Sequence, residues 1–176
     1  SIMKAKLGLG GGCHWCTEAI FLSLKGVLQV DQGFIKSVNS MDFSEAVLLE
    51  YDTAKIGRRD LIEIHLYTHK STSDHSFREK YRSAVYTFTS SDFSASQEII
   101  RSLQRNFEGN LITQVKEFAK FKPSKERFHN YYFTNPKRPF CTTYIVPKLT
   151  LLVQRYSKLV DSEKVASSIS PKAILT

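Results

Sequence analysis

The chain has 176 residues, of which 41% are hydrophobic and 24% are charged, with a formal net charge of +8. These values are typical of one domain of an ordinary soluble protein, and no apolar run approaches the ~18 residues of a membrane span. Lysine and arginine are scattered along the sequence, which argues against a nucleic-acid-binding surface. Three cysteines, an odd number, argue against a structural disulfide framework. We expect a cytoplasmic monomer without a signal peptide and without a membrane or nucleic-acid partner.

Hydrophobic periodicity predicts alternating strands and helices through the first half of the chain. The predicted strands are residues 4–10, 27–35, 43–51 and 81–89. The predicted helices are residues 14–25, which Gly26 ends, and residues 58–69. The resulting order β-α-β-β-α-β is that of ferredoxin-like folds. We therefore predict an α/β protein, more specifically an α+β two-layer sandwich with a ferredoxin-like split β-α-β core and added C-terminal helices.

The second half is predicted to add mainly helices. Ser90 and Ser91 are expected to cap a helix over residues 92–107. A strand over 113–121, a short helix over 123–133 and a helix over 147–160, opened by Pro147, follow in that order. Residues 161–176 are small, polar and without capping signals, so we expect a loose tail. Residues 1–160 are thus predicted to form a single domain.

A glycine run, Gly10-Gly11-Gly12, leads directly into Cys13 and the first predicted helix. A thiol at a helix N-terminus faces unpaired backbone N–H groups and the positive end of the helix dipole, and both favour the thiolate. Glycines let the chain turn sharply and let a substrate approach the backbone. We interpret Cys13 as a nucleophile.

Other interpretations of this stretch have less support. The third glycine of a dinucleotide fingerprint would fall at Cys13, and a phosphate-binding loop lacks its Gly-Lys-Ser/Thr ending. The Cys13-x-x-Cys16 spacing leaves open a dithiol enzyme or half of a metal site. A zinc site needs two more ligands, and His65 and His69 are the one remaining pair with suitable spacing. A buried, inert cysteine pair also stays open.

Five stretches, in order, resemble the peptide methionine sulfoxide reductase A family. Gly12-Cys13-His14-Trp15 is similar to its Gly-Cys-Phe-Trp signature. The other four are Gln32-Gly33-Phe34, Ser44-Glu45-Ala46-Val47, Lys80-Tyr81-Arg82-Ser83-Ala84, and Pro139-Phe140-Cys141 through Pro147-Lys148-Leu149. The resemblance covers roughly residues 5–155, and it makes the single domain over 1–160 a reductase-like catalytic domain.

The resemblance implies a thiol-dependent reduction of the S epimer of methionine sulfoxide, free or in proteins, without cofactor or metal. Cys13 is then the nucleophile. Glu45 matches the family's strand glutamate, which donates a proton to the sulfoxide oxygen; a buried carboxylic acid favours its protonated form. Tyr81 matches the tyrosine that hydrogen-bonds the same oxygen. Trp15, the single tryptophan, is expected to form a wall of the S-methyl pocket.

After oxygen transfer, Cys13 would be a sulfenic acid that condenses with a nearby thiol. Cys16 and Cys141 are both candidates for the resolving cysteine, and we prefer Cys16 because its proximity is fixed by the sequence. The resemblance implies thioredoxin as the reductant of the resulting disulfide. The alternative function is a thiol-disulfide oxidoreductase or a cysteine-based binding module on the same fold.

Three substrate-binding positions depart from the family pattern. His14 replaces the pocket phenylalanine, and Phe34 replaces a loop tyrosine. Ser76 takes the place of an aspartate, within residues 73–80 that differ throughout from the family's glycine-rich run. Asp74 would replace that aspartate only in a differently shaped loop. These changes are expected to affect substrate affinity and rate more than the reaction class.

Overall fold

The structure, a computed structural model, describes residues 3–169. These residues form five β-strands and six α-helices. The strands are β1 (Lys4–Gly10), β2 (Val27–Ser37), β3 (Ser44–Asp52), β4 (Ala84–Thr87) and β5 (Gln114–Pro123). The helices are α1 (His14–Leu22), α2 (Arg58–Thr68), α3 (Ser90–Leu103), α4 (Tyr131–Thr134), α5 (Val146–Arg155) and α6 (Ser162–Ile169). The predicted mixed α/β class is confirmed.

The five strands close into a barrel in the order β1-β3-β2-β5-β4. β1 pairs antiparallel with both β3 and β4, and β2 pairs antiparallel with β3 and β5. The parallel pairing of β4 with β5 closes the ring. Closure removes the exposed sheet edges that a two-layer sandwich would leave at β2 and β4. The sequence predicted the strand near residues 113–121 but did not predict that it closes the sheet.

The first helix ends earlier than its periodicity predicted. α1 stops at Leu22, and the Ser23 hydroxyl donates to the Ala19 carbonyl at 2.7 Å. The chain beyond Ser23 instead pairs with a distant segment, since Lys25 N–H donates to the Leu159 carbonyl and Asp161 N–H to the Ser23 carbonyl. These long-range backbone bonds replace the last helical turn, and local periodicity gives no sign of them.

The fourth strand is much shorter than predicted, which moves Tyr81 out of the sheet. β4 begins at Ala84, and Tyr81 lies in the turn before it. Two contacts hold this turn: Ser44 Oγ accepts from Arg82 N–H at 2.7 Å, and the Arg78 guanidinium donates to the Tyr81 and Gly11 carbonyls. The segment is therefore shaped by tertiary hydrogen bonds.

The C-terminal part differs from the sequence prediction in three places. The helix predicted over 123–133 is a 3₁₀ turn, Glu126–Phe128, followed by the single turn α4. The helix predicted over 147–160 ends at Arg155. Residues 162–169 of the predicted loose tail form α6, because Val165 is buried in the core. Residues 170–176 of that tail lie outside the described residues.

One hydrophobic cluster joins the strands to helices from both halves of the chain. It combines Leu7 and Leu9 of β1 with side chains of four helices: Ile20, Phe21, Leu61, Ile64, Leu149, Leu152 and Val165. Full burial of each such side chain contributes roughly 1.5–3 kcal/mol. The cluster fixes the start of α1, and Cys13 with it, against the end of β1. Within residues 3–169, no helix has the length and hydropathy to cross a membrane.

Candidate active site

Cys13 lies at the junction of β1 and α1, as the sequence predicted. It is the N-cap residue of α1 with extended backbone (φ −60°, ψ 125°), and its carbonyl accepts the first helical hydrogen bonds from the N–H groups of Cys16 and Thr17. The cysteine is half-buried. This placement puts the side chain at the positive end of the helix dipole, which favours a thiolate.

The three glycines before Cys13 have different environments. A Cβ on Gly10 would lie 3.0 Å from the carbonyl oxygens of Arg82 and Glu45, and one on Gly11 would lie 2.5 Å from the His69 ring. Nothing lies within 4 Å of the Cβ position of Gly12. Two glycines therefore allow close packing under the thiol, and the third leaves open space beside it.

The surroundings of Cys13 favour its thiolate. The Cys16 thiol makes the largest contribution to lowering the pKa of Cys13, by donating a hydrogen bond to its sulfur. Backbone N–H groups of Trp15 and Cys16 lower it further, whereas burial and the nearby Glu45 charge raise it. The effect of the hydrogen-bond donors is larger than that of burial and of the Glu45 charge, so the pKa of Cys13 is lowered.

The other two cysteines are buried and keep their protons. Donation to Cys13 is the main cause that raises the pKa of Cys16, and burial adds to it. Cys141 begins a π-helical turn (Cys141–Ile145), and burial raises its pKa. All three cysteines are free thiols. Cys13 is therefore the one whose environment suits a nucleophile.

Glu45 and His14 lie together beside Cys13. Glu45 on β3 is 8% exposed, and its Oε1 accepts from the His14 backbone N–H at 3.3 Å. The same oxygen lies 3.4 Å from His14 Nε2, while His14 Nδ1 lies 2.6 Å from the Gly33 carbonyl oxygen. Lys80 Nζ approaches the other carboxyl oxygen at 3.8 Å. Burial lowers the pKa of His14.

A cavity of about 450 Å³ opens next to Cys13. Its lining includes Cys13, Cys16 and Tyr81. Aromatic side chains from the 73–80 loop and the C-terminal segment complete much of its wall: Phe77, Phe140 and Tyr144. A largely apolar cavity beside a thiolate is suited to a ligand that combines an apolar group with one reactive polar atom.

Trp15 and Ser76 do not line this cavity. Trp15 is stacked on Tyr131 at a centroid distance of 4.0 Å and meets Phe140 edge-to-face at 5.3 Å. Ser76 is exposed in the loop, and Asp74 lines a different surface hollow with Arg78. Phe140 links the two regions, because it contacts Trp15 and also lines the cavity.

Phe34 lies on the side of Cys13 that faces away from the cavity. It lies directly opposite Glu45 in the β2–β3 register, and its ring meets the His14 ring edge-to-face at 5.2 Å. Of the predicted residues, the structure thus groups Glu45, His14 and Phe34 on one side of Cys13. Cys16 and Tyr81 are on the cavity side.

Sequence reasoning missed Lys148 and His69, which both line the cavity. The Lys148 ammonium donates to the Thr68 carbonyl, and burial is the main cause that lowers its pKa. His69 Nε2 lies 2.8 Å from Ser83 Oγ. Lys148 stands within the Pro147-Lys148-Leu149 stretch of the family resemblance, and that stretch was the available signal. His69 had a weaker signal, its spacing from His65.

Among residues 3–169, no three His, Cys, Asp or Glu side chains come together as a metal site would require. A thiol of lowered pKa at a helix start, with a second thiol and a buried carboxyl beside it, defines a cysteine-dependent protein of the α/β class. The model of the peptide methionine sulfoxide reductase family matches residues 5–159. The chain belongs to the peptide methionine sulfoxide reductase family.

Individual relatives agree with this assignment. The peptide methionine sulfoxide reductase MsrA of Trichodesmium erythraeum is 31% identical over 171 residues, covering 88% of this chain and 97% of the relative. The crystal structure of reduced Mxr1 from Saccharomyces cerevisiae covers 80% of this chain and 91% of its own, with a TM-score of 0.68 at 21% identity. Mxr1 in complex with Trx2 covers 73% of this chain and 84% of its own, with a TM-score of 0.59 at 18% identity.

Proposed function

We propose that this protein reduces the S epimer of methionine sulfoxide, free or within proteins, to methionine by means of the Cys13 thiol. The observation that carries the proposal is the placement of Cys13 at the start of α1, in the lining of a largely apolar cavity that Cys16 also lines. The lowered pKa of Cys13 agrees with this placement. Family membership supports the same reaction. It does not favour the alternative of a thiol-disulfide oxidoreductase or a cysteine-based binding module.

In the first step, the Cys13 thiolate removes the sulfoxide oxygen. The sulfoxide sulfur is reduced to the thioether, Cys13 is oxidised to the sulfenic acid, and one proton is taken up with the oxygen. Glu45 is the proposed donor of that proton, and Tyr81 the proposed hydrogen-bond donor to the oxygen. Tyr81 supports its role by lining the cavity, and Glu45 supports its role by being buried beside Cys13 on the other side of the thiol.

The test is release of methionine from methionine (S)-sulfoxide with dithiothreitol as reductant. We expect methionine from the S epimer and none above background from the R epimer, which serves as the control. A protein that exchanges disulfides but releases no methionine from either epimer would contradict the proposal and support the alternative function.

Cys16 is the proposed resolving cysteine. Cys16 lies within one helical turn of Cys13: its N–H donates to the Cys13 carbonyl at 3.1 Å, and both side chains line the same cavity. Condensation of its thiol with a Cys13 sulfenic acid releases water and forms a disulfide. After one turnover without reductant, peptide mapping is expected to show Cys13 joined to Cys16. Cys141 is the matched control, because it is buried and its thiol also has a raised pKa. A Cys13–Cys141 bond, or a stable sulfenic acid, would exclude this role for Cys16.

Thioredoxin is the proposed reductant of the disulfide. The related fold of Mxr1 has a solved structure in complex with Trx2, and this supports the proposal. We expect thioredoxin with its reductase and NADPH to sustain repeated turnover in place of dithiothreitol. Turnover that stops after one equivalent of methionine would point to a different reductant.

His14, Trp15, Phe34 and Ser76 are the proposed substrate-binding positions, and Phe34 offers the sharpest test of them. It lies opposite Glu45, where a tyrosine hydroxyl would add a donor near the sulfoxide oxygen. A hydrogen bond to a charge-developing atom contributes roughly 1–3 kcal/mol, and ~1.4 kcal/mol is tenfold in rate.

We therefore expect Phe34→Tyr to raise kcat/KM on the S-sulfoxide about tenfold. Phe34→Leu, which adds no hydroxyl, is the control and is not expected to raise kcat/KM. An unchanged or lower value for Phe34→Tyr would show that His14 or the 73–80 loop has rebuilt the oxygen site with other groups.

We also propose that β1, α1, β2, β3, α2 and β4 are a ferredoxin-like core. The strand order β4-β1-β3-β2 within the barrel and its antiparallel pairings support this view. Residues 1–160 remain the proposed catalytic domain, and the cytoplasmic location and monomeric state stay predictions. Size-exclusion chromatography with light scattering tests the last of these.

A further inference from the structure

We propose that His14 and Glu45 together hold one transferable proton. In this proposal His14 is a positioning residue that keeps Glu45 able to act as the acid of the reaction. This inference rests on the proposed function, since it concerns the proton delivered to the sulfoxide oxygen. The family resemblance places a phenylalanine at this position, and a phenylalanine cannot take part in such a pair.

The Gly33 carbonyl fixes the protonation of one ring nitrogen. His14 Nδ1 lies 2.6 Å from that oxygen, which is a hydrogen-bond distance, and a carbonyl oxygen can only accept. Nδ1 must therefore carry a hydrogen. Burial disfavours the charged ring and lowers the pKa of His14, so the neutral ring leaves Nε2 with a bare lone pair.

That bare nitrogen faces a carboxyl oxygen. Nε2 lies 3.4 Å from Glu45 Oε1, and both groups are buried. A lone pair and an ionised carboxylate would repel each other, whereas a proton between them makes the contact attractive. The proton resides either on Glu45, which then donates to Nε2, or on Nε2, which then faces the carboxylate. In both forms, the pair holds one proton beyond that of Nδ1.

Two other charged or titratable groups, Lys80 and Cys13, face the pair, together with a backbone N–H and an apolar ring. Lys80, from the turn before β4, approaches Glu45 Oε2 at 3.8 Å and favours the ionised carboxyl. The His14 backbone N–H, donating to Oε1 at 3.3 Å, acts in the same direction. The Cys13 thiolate, from the start of α1, favours retention of the proton. Phe34, from β2, contributes an apolar ring. His14 is thus the side chain positioned to accept from a protonated Glu45.

The chemistry balances with a single proton. Oxygen passes from the sulfoxide sulfur to the Cys13 sulfur, the pair gives its proton to that oxygen, and the products are the thioether and the sulfenic acid. Glu45 is left ionised beside a neutral His14, and the pair takes up a proton from solvent before the next turnover. The proton content of the pair therefore sets the alkaline limit of the oxygen-transfer step.

The test measures the pH dependence of single-turnover methionine formation, without reductant, for the wild type, His14→Phe, His14→Gln and His129→Phe. A phenylalanine removes the acceptor for the Glu45 proton, so we expect the alkaline midpoint of His14→Phe to fall by about one pH unit. A glutamine retains an acceptor oxygen, so its midpoint is expected to lie closer to that of the wild type. His129 is the matched control, because its ring also bonds a backbone carbonyl, that of Ser124 at 2.7 Å.

A uniform loss of rate at every pH in His14→Phe, with the midpoint unchanged, would mean that His14 only supports the structure and would overturn the proposal. A second measurement needs no turnover: nitrogen NMR of ¹⁵N-histidine-labelled protein should show a hydrogen on His14 Nδ1. A hydrogen on Nε2 with a bare Nδ1 would also overturn it. If the wild type forms no methionine, the proposed function fails, while the NMR measurement still tests the pair.

Discussion

Replacing Cys13 with serine is expected to abolish methionine formation, with a fall in kcat/KM of more than about 10⁴-fold. A serine hydroxyl stays protonated at neutral pH and is a poor oxygen acceptor, whereas the hydrogen bond from Cys16 lowers the pKa of the Cys13 thiol. Steady-state methionine release from the S-sulfoxide measures the effect. Cys141→Ser is the control, because Cys141 lies outside the cavity lining.

The order in which the cysteines are alkylated is an independent measure of the reactivity of Cys13. The pKa of Cys13 is lowered, whereas those of Cys16 and Cys141 are raised. As the pH rises from mildly acidic values, Cys13 therefore reaches its thiolate form first and should react first with iodoacetamide. Peptide mapping of the first modified site checks this order. Full activity in Cys13→Ser, or earlier labelling of Cys16, would refute the assignment of Cys13 as nucleophile.

Glu45→Gln is expected to lower the rate of oxygen transfer about 10²–10⁴-fold, the usual contribution of a positioned general acid. The amide retains the size of the side chain but has no acidic proton to give. Single-turnover methionine formation is the measurement, because it isolates the first step from disulfide reduction. Substrate affinity, read from the concentration dependence, should change less than the maximum rate.

The matched control for this change is Glu50→Gln on the same strand. Glu50 is half-buried near the other end of β3, opposite Lys6, and is remote in register from Phe34 and Glu45. Its replacement should leave oxygen transfer near the wild-type rate. A Glu45→Gln protein that keeps the wild-type rate at neutral pH would assign proton delivery to Tyr81 or to solvent.

The order of the first six elements could be predicted from sequence, because strand and helix periodicities are local properties of the chain. β1 has the predicted bounds, and the other elements differ from prediction mainly at their ends. The largest differences share one cause. α1 ends early because residues 23–25 pair with 159–161, and β4 is short because Ser44 and Arg78 hold the turn that contains Tyr81.

The C-terminal segment, residues 162–169, also differs from prediction because of contacts with distant residues. The expectation that the tail has no capping signal is wrong at Asp161, whose Oδ1 accepts from the Lys164 N–H at 3.1 Å at the start of α6. Val165 enters the core, and Ser168 Oγ meets the Tyr132 hydroxyl at 2.8 Å. A short helix gains most of its stability from such packing and little from intrinsic propensity. No pattern within the segment indicates the core surface against which it packs.

The sequence by itself determined the family, the α/β class and the place of Cys13 at a strand-to-helix junction, since a glycine run before a helix-period segment is a local signal. Only the tertiary structure decided which groups surround that thiol. Closure of the barrel by β5, the Gly33–His14–Glu45 contacts and the entry of Lys148 into the cavity join residues that are distant in the chain. Such contacts depend on how the whole core packs, and for that reason no local pattern contains them.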